Sequence, residues 1–272
     1  MTRVVFGILL LVLAVPTHAF DHDYHRWDAL LKVQVRDGLV TYAAIKAYPA
    51  DLQAVLDEFS AVTPAMVADW TREQRLAFWI NAYNSYTLKA IIDHYPLSRS
   101  GLKGLAFPRN SIRQIAGVWD KLTWKVAGEE LTLDQIEHQK LRDELKEPRI
   151  HFALVCAARG CPKLRSEAYT AEKVQAQLTS AAQDFVNDPT RNRVDPVAKT
   201  AELSKIFEWF GGDFAGFKGV SGHEQMDGPL SFMSPLLPPE QAQALAAPQL
   251  KVSFMDYDWT LNERPVPLPA SP

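Results

Sequence analysis

Thr71-Arg72-Glu73-Gln74-Arg75-Leu76-Ala77-Phe78-Trp79-Ile80-Asn81-Ala82-Tyr83-Asn84-Ser85-Tyr86-Thr87-Leu88-Lys89-Ala90-Ile91-Ile92-Asp93-His94 is the stretch that decides the fold. Thr71 and Gln74 have the spacing of a capping box, in which side chains and backbone at a helix start satisfy one another. Pro96 supplies the stop. Between them, Leu76, Phe78, Trp79, Ile80, Tyr83, Leu88, Ile91 and Ile92 surround the helix rather than striping it. A helix apolar on nearly every side is a central, buried one. Asn81 and Asn84 lie inside it at i, i+3, on one face. Burying an amide without partners costs roughly 1–3 kcal/mol, so both require defined partners, either neighbouring loop backbone or a functional site.

The rest of the chain is read against this helix. Asp23 to Val35 forms a helix that Gly38 ends, and Leu39 to Tyr42 is extended. Pro49 to Phe59 is a helix with Leu52, Val55, Leu56 and Phe59 inward. Ser98 to Asn110 is a loop. Trp119 to Ala127 and Glu129 to Leu131 make a hairpin about Gly128. Thr132 and Gln135 form a second capping box, opening a helix to about Leu145 with Glu137 and His138 in its first turns. Ile150 to Val155 reads as a buried strand, with a helix as the close alternative for so short a run. Helices are expected from Thr170 to Asn187, Ile206 to Phe210 and Pro239 to Ala246. Val194, Leu203 and Val252 to Tyr257 are extended, and residues 211–235 form a long surface loop. The class is α+β: a mostly helical single domain around a small mixed or antiparallel sheet.

At the N-terminus, Arg3, the apolar run Val4 to Val15 and the small residue Ala19 read as a signal peptide over residues 1–19. The run is shorter than the ~20 residues that span a bilayer, so no stable membrane insertion is expected after cleavage. The globular domain is placed at 20–262 and a proline-rich tail at 263–272, in a periplasmic or secreted protein. Cleavage removes one of 29 basic side chains and none of the 32 acidic ones, moving the net charge from −3 to −4. That balance gives no electrostatic case for nucleic acid. A small molecule or peptide is the expected partner.

The chemistry gathers in Arg149-Ile150-His151-Phe152-Ala153-Leu154-Val155-Cys156-Ala157-Ala158-Arg159-Gly160-Cys161-Pro162, which holds both cysteines of the chain. One reading makes Cys156 a thiolate nucleophile, which needs a base and a group to orient that base. His151 is nearest in sequence, but an i, i+5 pair points to opposite faces of a strand and is about 140° apart on a helix. His138 is free of that constraint, and Glu137 or Asn81 could orient an imidazole. Arg159 would lower the thiol pKa or bind a carboxylate, with Asn84 as a further substrate contact. The competing reading is a Cys156–Cys161 disulfide closing a tight loop, worth roughly 2 kcal/mol, in a non-catalytic binding module. Zinc held by Cys156, Cys161, His138 and His151 has the right ligand types but a wide cysteine spacing. An acid pair of Glu137 with Asp256 or Asp258 would suit glycoside hydrolysis, but nothing in the sequence joins them. No glycine-rich phosphate loop or serine-hydrolase elbow is present, and no cofactor or metal is implied.

Ala77-Phe78-Trp79-Ile80-Asn81-Ala82-Tyr83-Asn84, Ile136-Glu137-His138 and His151 through Pro162 together resemble the family called domain of unknown function 547. Ser204 to Phe210, Asp213-Phe214 and Tyr257 to Asn262 look like its C-terminal blocks. The resemblance spans roughly residues 25–262, with Val155 standing where the family pattern has an asparagine. It implies exported bacterial proteins and plant proteins carrying the same domain, without an established reaction. A distant likeness to the papain and transglutaminase type of fold is a fold-level analogy and does not give function.

Overall fold

The computed structural model describes residues 20–99, 101, 103–218, 226–247 and 249–264. The proposed signal peptide and residues 265–272 of the tail lie outside them. In chain order the elements are α1 (His25–Gln34), β1 (Val35–Arg36), β2 (Leu39–Val40), α2 (Tyr42–Ala47), α3 (Ala50–Ala61), α4 (Pro64–Asp69) and α5 (Arg72–His94). After two 3-10 turns come β3 (Trp124–Val126), β4 (Glu129–Leu131) and α6 (Leu133–Gln135), which continues as a π-helix over Ile136–Asp143. A 3-10 helix, Pro148–Phe152, leads to α7 (Val174–Val186), β5 (Arg193–Asp195), β6 (Thr200–Leu203) and α8 (Lys205–Trp209). The chain ends with α9 (Asp227–Met233), α10 (Pro239–Leu245) and β7 (Lys251–Phe254). The fold is thus a mostly helical α+β domain. Its sheets are two two-stranded hairpins and a three-stranded sheet in which β6 pairs antiparallel with β5 and parallel with β7.

Helix α5 has the expected bounds, and both halves of the Thr71–Gln74 capping box are formed. Sixteen of its 23 residues are buried, against α2, α3, α7 and the π-helix. The two asparagines clamp chain that has no sheet to pair with. Asn81 donates to the Tyr169 carbonyl (2.7 Å) and accepts from the Tyr169 N–H (3.0 Å). Asn84 donates to the Ala153 carbonyl (3.0 Å) and accepts from the Val155 N–H (3.0 Å).

Two expectations are corrected. Ile150–Val155 is not a strand. Pro148 sits at the start of a 3-10 helix whose first free N–H, on Arg149, is taken by the Glu147 side chain. The amide of Asn84 then does for Ala153 and Val155 what a neighbouring strand would have done. The span 211–235 is not one long loop either, because it contains a 3-10 turn, Gly211–Phe214, and α9.

Two apolar clusters make up the core. The larger surrounds α5 and includes Ile150, Ala153, Leu154 and Val155. The smaller surrounds α7, β6 and α9 and takes in Phe152, whose ring lies 5.1 Å from Phe185 and 5.4 Å from Phe232. The 150–155 segment therefore runs along the seam between the clusters. Two segments far apart in sequence, residues 40–42 and 262–263, meet nearby. Val40 bridges in parallel to Glu263, and the buried Tyr42 hydroxyl donates to Asn262 at 2.6 Å. Glu263, assigned from sequence to the tail, is part of the folded body; it also accepts from Asn110 at 2.9 Å.

Replacing Asn84 with leucine keeps the volume but leaves two buried backbone groups without partners, at roughly 1–3 kcal/mol each. Asn84→Leu is expected to lower unfolding stability by about 3 kcal/mol, read as a shift of the urea midpoint at unchanged m-value. A surface-sized effect would show that the clamp is dispensable.

Candidate functional site

A cavity of about 280 Å³ opens at the seam. Its walls include Tyr83, Trp119 and Leu154 from the larger cluster's side and Ile206, Phe210 and Tyr257 from the other. Glu137, His138, His151, Cys156 and Cys161 all line it. The volume falls at the small end of ligand sites, ~300–1,000 Å³, so it fits a group of amino-acid size rather than a polymer.

Glu137 comes from the first turn of the π-helix and is 8% exposed. In an α-helix, Glu137 and Arg142 would sit about 140° apart. The i→i+5 winding, seen in the Glu144 N–H bond to the Gln139 carbonyl, brings positions five apart closer to one face. Burial pushes the Glu137 carboxyl up to about 7, while the positive charge of Arg142 and a hydrogen bond with Tyr83 oppose it. Its Oε1 lies 3.9 Å from His151 Nδ1, outside hydrogen-bond range.

His151 is fully enclosed. Its ring stacks on Phe210 with centroids 4.1 Å apart, and its Nε2 donates to Asp213 Oδ2 at 2.7 Å. Asp213 in turn accepts two bonds from Arg142, at 2.6 and 2.7 Å. An oxygen already accepting from a guanidinium can only accept from the imidazole, so Nε2 carries the His151 proton and the Nδ1 lone pair faces Glu137. Burial holds the His151 pKa below its ordinary value, against the pull of Asp213. Burial likewise raises Asp213, but the bonds from His151 and Arg142 outweigh it and keep the carboxyl below the usual range. Arg142 also donates to His138 Nδ1 at 2.5 Å. Arginine has no acceptor, so this nitrogen is unprotonated and the bond occupies it.

Cys156 and Cys161 form a disulfide with Cα atoms 6.0 Å apart. The Cys156 sulfur is also 3.1 Å from the Tyr257 hydroxyl. The loop between the cysteines is pinned by residues 258–262: Arg159 N–H bonds to the Thr260 carbonyl, Gly160 N–H to the Asp258 carbonyl, and Asn262 N–H to the Ala157 carbonyl. Gly160 is required by close approach, since a Cβ there would lie 2.9 Å from the Asp258 nitrogen.

The structure thus joins Glu137, His138, His151, Cys156 and Cys161 at one cavity and leaves out the other candidates. Asn81 and Asn84 face backbone rather than the cavity. Arg159 is exposed and lines a neighbouring cavity, together with Asp256 and Asp258. The acid pair of either aspartate with Glu137 is therefore not assembled. Nor is the zinc set, since the sulfurs are bonded to each other and His138 Nδ1 takes the bond from Arg142. Sequence reasoning gave no role to Asp213, 62 residues from His151, or to Arg113 at the cavity mouth. The Phe210-Gly211-Gly212-Asp213 turn was the available signal for the aspartate.

The fold and site define a helical α+β domain with a carboxyl–imidazole–carboxylate array facing a cystine across a small cavity. Residues 67–186 match the family described as protein of unknown function, DUF547, which supports the resemblance seen in the sequence. No curated protein and no solved structure matches the chain. Among the described residues, no helix is long and apolar enough to cross a membrane.

A carboxyl whose folded pKa stands above its ordinary value binds more protons folded than unfolded between 4.5 and about 7. Stability therefore falls as pH rises through that window and stays lower above it. A shift of this size corresponds to about 3 kcal/mol. Glu137→Gln, which cannot ionise, is expected to stabilise the protein at pH 8 by up to that amount, less any weakening of the Tyr83 bond. At pH 4.5 the substitution should be near neutral. Urea midpoints at both pH values check this, and equal differences at the two would mean that Glu137 titrates as an ordinary carboxyl.

Proposed function

We propose that the cavity is an acyl-transfer site acting on an amide or ester bond, with Cys156 as nucleophile after a dithiol has opened its bond to Cys161. The observation that supports this reading is the placement of Cys156 in one cavity with Glu137, a buried carboxyl raised to about 7. A thiol titrates near ~8.5. Passing its proton to a carboxylate at about 7 is uphill by ~2 kcal/mol, against ~5 kcal/mol for an ordinary carboxylate. His151 is the poorer acceptor, because burial lowers its pKa. Its role is to hold its Nδ1 lone pair against Glu137, with Asp213 fixing the tautomer.

The steps balance. The dithiol gives one hydrogen to each sulfur and leaves as its own disulfide. Cys156 Sγ attacks the acyl carbon while its proton passes to Glu137. Glu137 returns that proton to the departing amine or alkoxide. Water or a second nucleophile then opens the thioester and restores the thiol.

The closed disulfide favours a second reading, in which the cystine only shapes the wall of a binding module. Treatment with a mild dithiol separates the two. Acyl transfer expects Cys156 to react with iodoacetamide faster than Cys161, and turnover of p-nitrophenyl acetate to rise with pH through about 7. Cys156→Ala should lose at least about a hundredfold in rate. Undiminished turnover in that variant would rule out the thiol. A cystine that resists reduction would leave the binding module.

Export belongs to the same proposal. A disulfide is at home in an oxidising compartment, and residues 1–19 have the pattern of a cleaved leader. Mass spectrometry of protein recovered from its host should find a chain beginning near Phe20. Intact Met1 on exported protein would refute the cleavage.

A further inference from the structure

Arg113 lines the mouth of the cavity on a short 3-10 turn, Ile112–Gln114. Buried Ile112 and Gln114 flank it, and the Ser111 side chain accepts its N–H, so its backbone is fixed. Its guanidinium carbon lies 4.4 Å from the Phe107 ring centroid, 5.1 Å from Trp259 and 5.5 Å from Trp119. Three rings attract the cation but accept none of its five in-plane N–H donors. Among the described residues, Arg113 forms no ion pair and its side chain donates no hydrogen bond. Arg113 is the one arginine or lysine among the cavity's lining residues, and Arg142 behind them is taken by Asp213. Arg113 is exposed, with three rings against its guanidinium and its donors open to solvent, and a fork so placed is suited to a planar, bidentate anion.

The ring contacts continue inward. Trp259 is 4.6 Å from Tyr257 and stacked 6.0 Å from Trp209, which is 47% exposed. An aromatic wall therefore runs from Arg113 to the Tyr257 hydroxyl beside the Cys156 sulfur. The lining also carries two carboxyl side chains, Asp134 and Glu137, against this one unpaired cation. That balance suits a singly charged anion over a doubly charged phosphate.

We propose that Arg113 is a specificity-determining residue that binds a free carboxylate on the substrate, whose ring lies on the Trp209–Trp259 wall. The substrate class is an acylated amino acid with an aromatic side chain, its amide directed toward Cys156 and Glu137. This rests on the acyl-transfer reading for the bond attacked, whereas recognition of the carboxylate needs only the cavity.

The test is calorimetric binding to the protein with its disulfide closed, so that no thiol is available for turnover. The probes are N-acetylphenylalanine, its uncharged amide, and the phosphonate analogue of the acid. The acid should bind at least about tenfold more tightly than the amide, as a charge-assisted pair provides. Arg113→Gln should bring the acid to the level of the amide in protein that still unfolds in one cooperative transition. Equal binding of acid and amide by the unaltered protein overturns the proposal, as does binding of neither. So does tighter binding of the phosphonate, or an acid preference that survives in Arg113→Gln. If that variant does not fold, the acid-to-amide ratio of the unaltered protein decides alone. Failure of the reduced protein to turn over any ester or amide would remove acyl transfer and leave this result standing.

Discussion

Everything around the cavity depends on one side chain, the carboxamide of Asn84. Buried backbone must have hydrogen-bond partners. The segment carrying His151 and Cys156 passes through the middle of the protein without a neighbouring strand. Asn84 gives it one donor and one acceptor from a rigid helix, at Ala153 and Val155. These residues lie between the histidine and the first cysteine, so the clamp fixes the distance along which both face the cavity. Only a helix buried on all sides could place an amide at that depth.

The array behind the cavity keeps one carboxyl buried at a cost to stability above pH 7. Asp213 is paired with the Arg142 guanidinium and also accepts from the neutral His151 imidazole, and so costs little to bury. Glu137 has no such partner at bonding distance, and Arg142 offsets only part of its desolvation. A fold selected for stability alone would replace such a carboxyl with an amide or an apolar group. A group of this kind in a cleft is a physical pointer to function, and it gives the π winding of its helix a purpose.

The sequence made α5 legible because caps, stop and all-round apolarity agree at several levels. The Trp124–Leu131 hairpin and the Thr132 capping box were legible for the same reason, since each has a residue type that only one geometry demands. The 148–155 segment was not. Its apolar alternation satisfies a strand, and its partner is an asparagine about 70 residues earlier. The π winding leaves no mark in residue type, because the same side chains would suit an α-helix. The two cysteines, the carboxyl and both histidines of the cavity could be named because they cluster in sequence. Asp213 and Arg113 are brought in by tertiary packing, and Arg159, the nearer arginine, turns away because its loop is pinned to residues 258–262.

The pairing of residues 40–42 with residues 262–263 has a consequence for the order of folding. Val40 and Tyr42 wait for Glu263 and Asn262, and the cystine loop waits for residues 258–262. The longest of these contacts, between Val40 and Glu263, spans 223 residues. A nascent chain still lacking its last described residues has its helices but neither a closed hairpin edge nor a finished cavity wall. These contacts form only once the chain as far as Glu263 is available, so they close late in folding. Until then the loop that carries the two sulfurs lacks the backbone bonds from residues 258–262 that pin it.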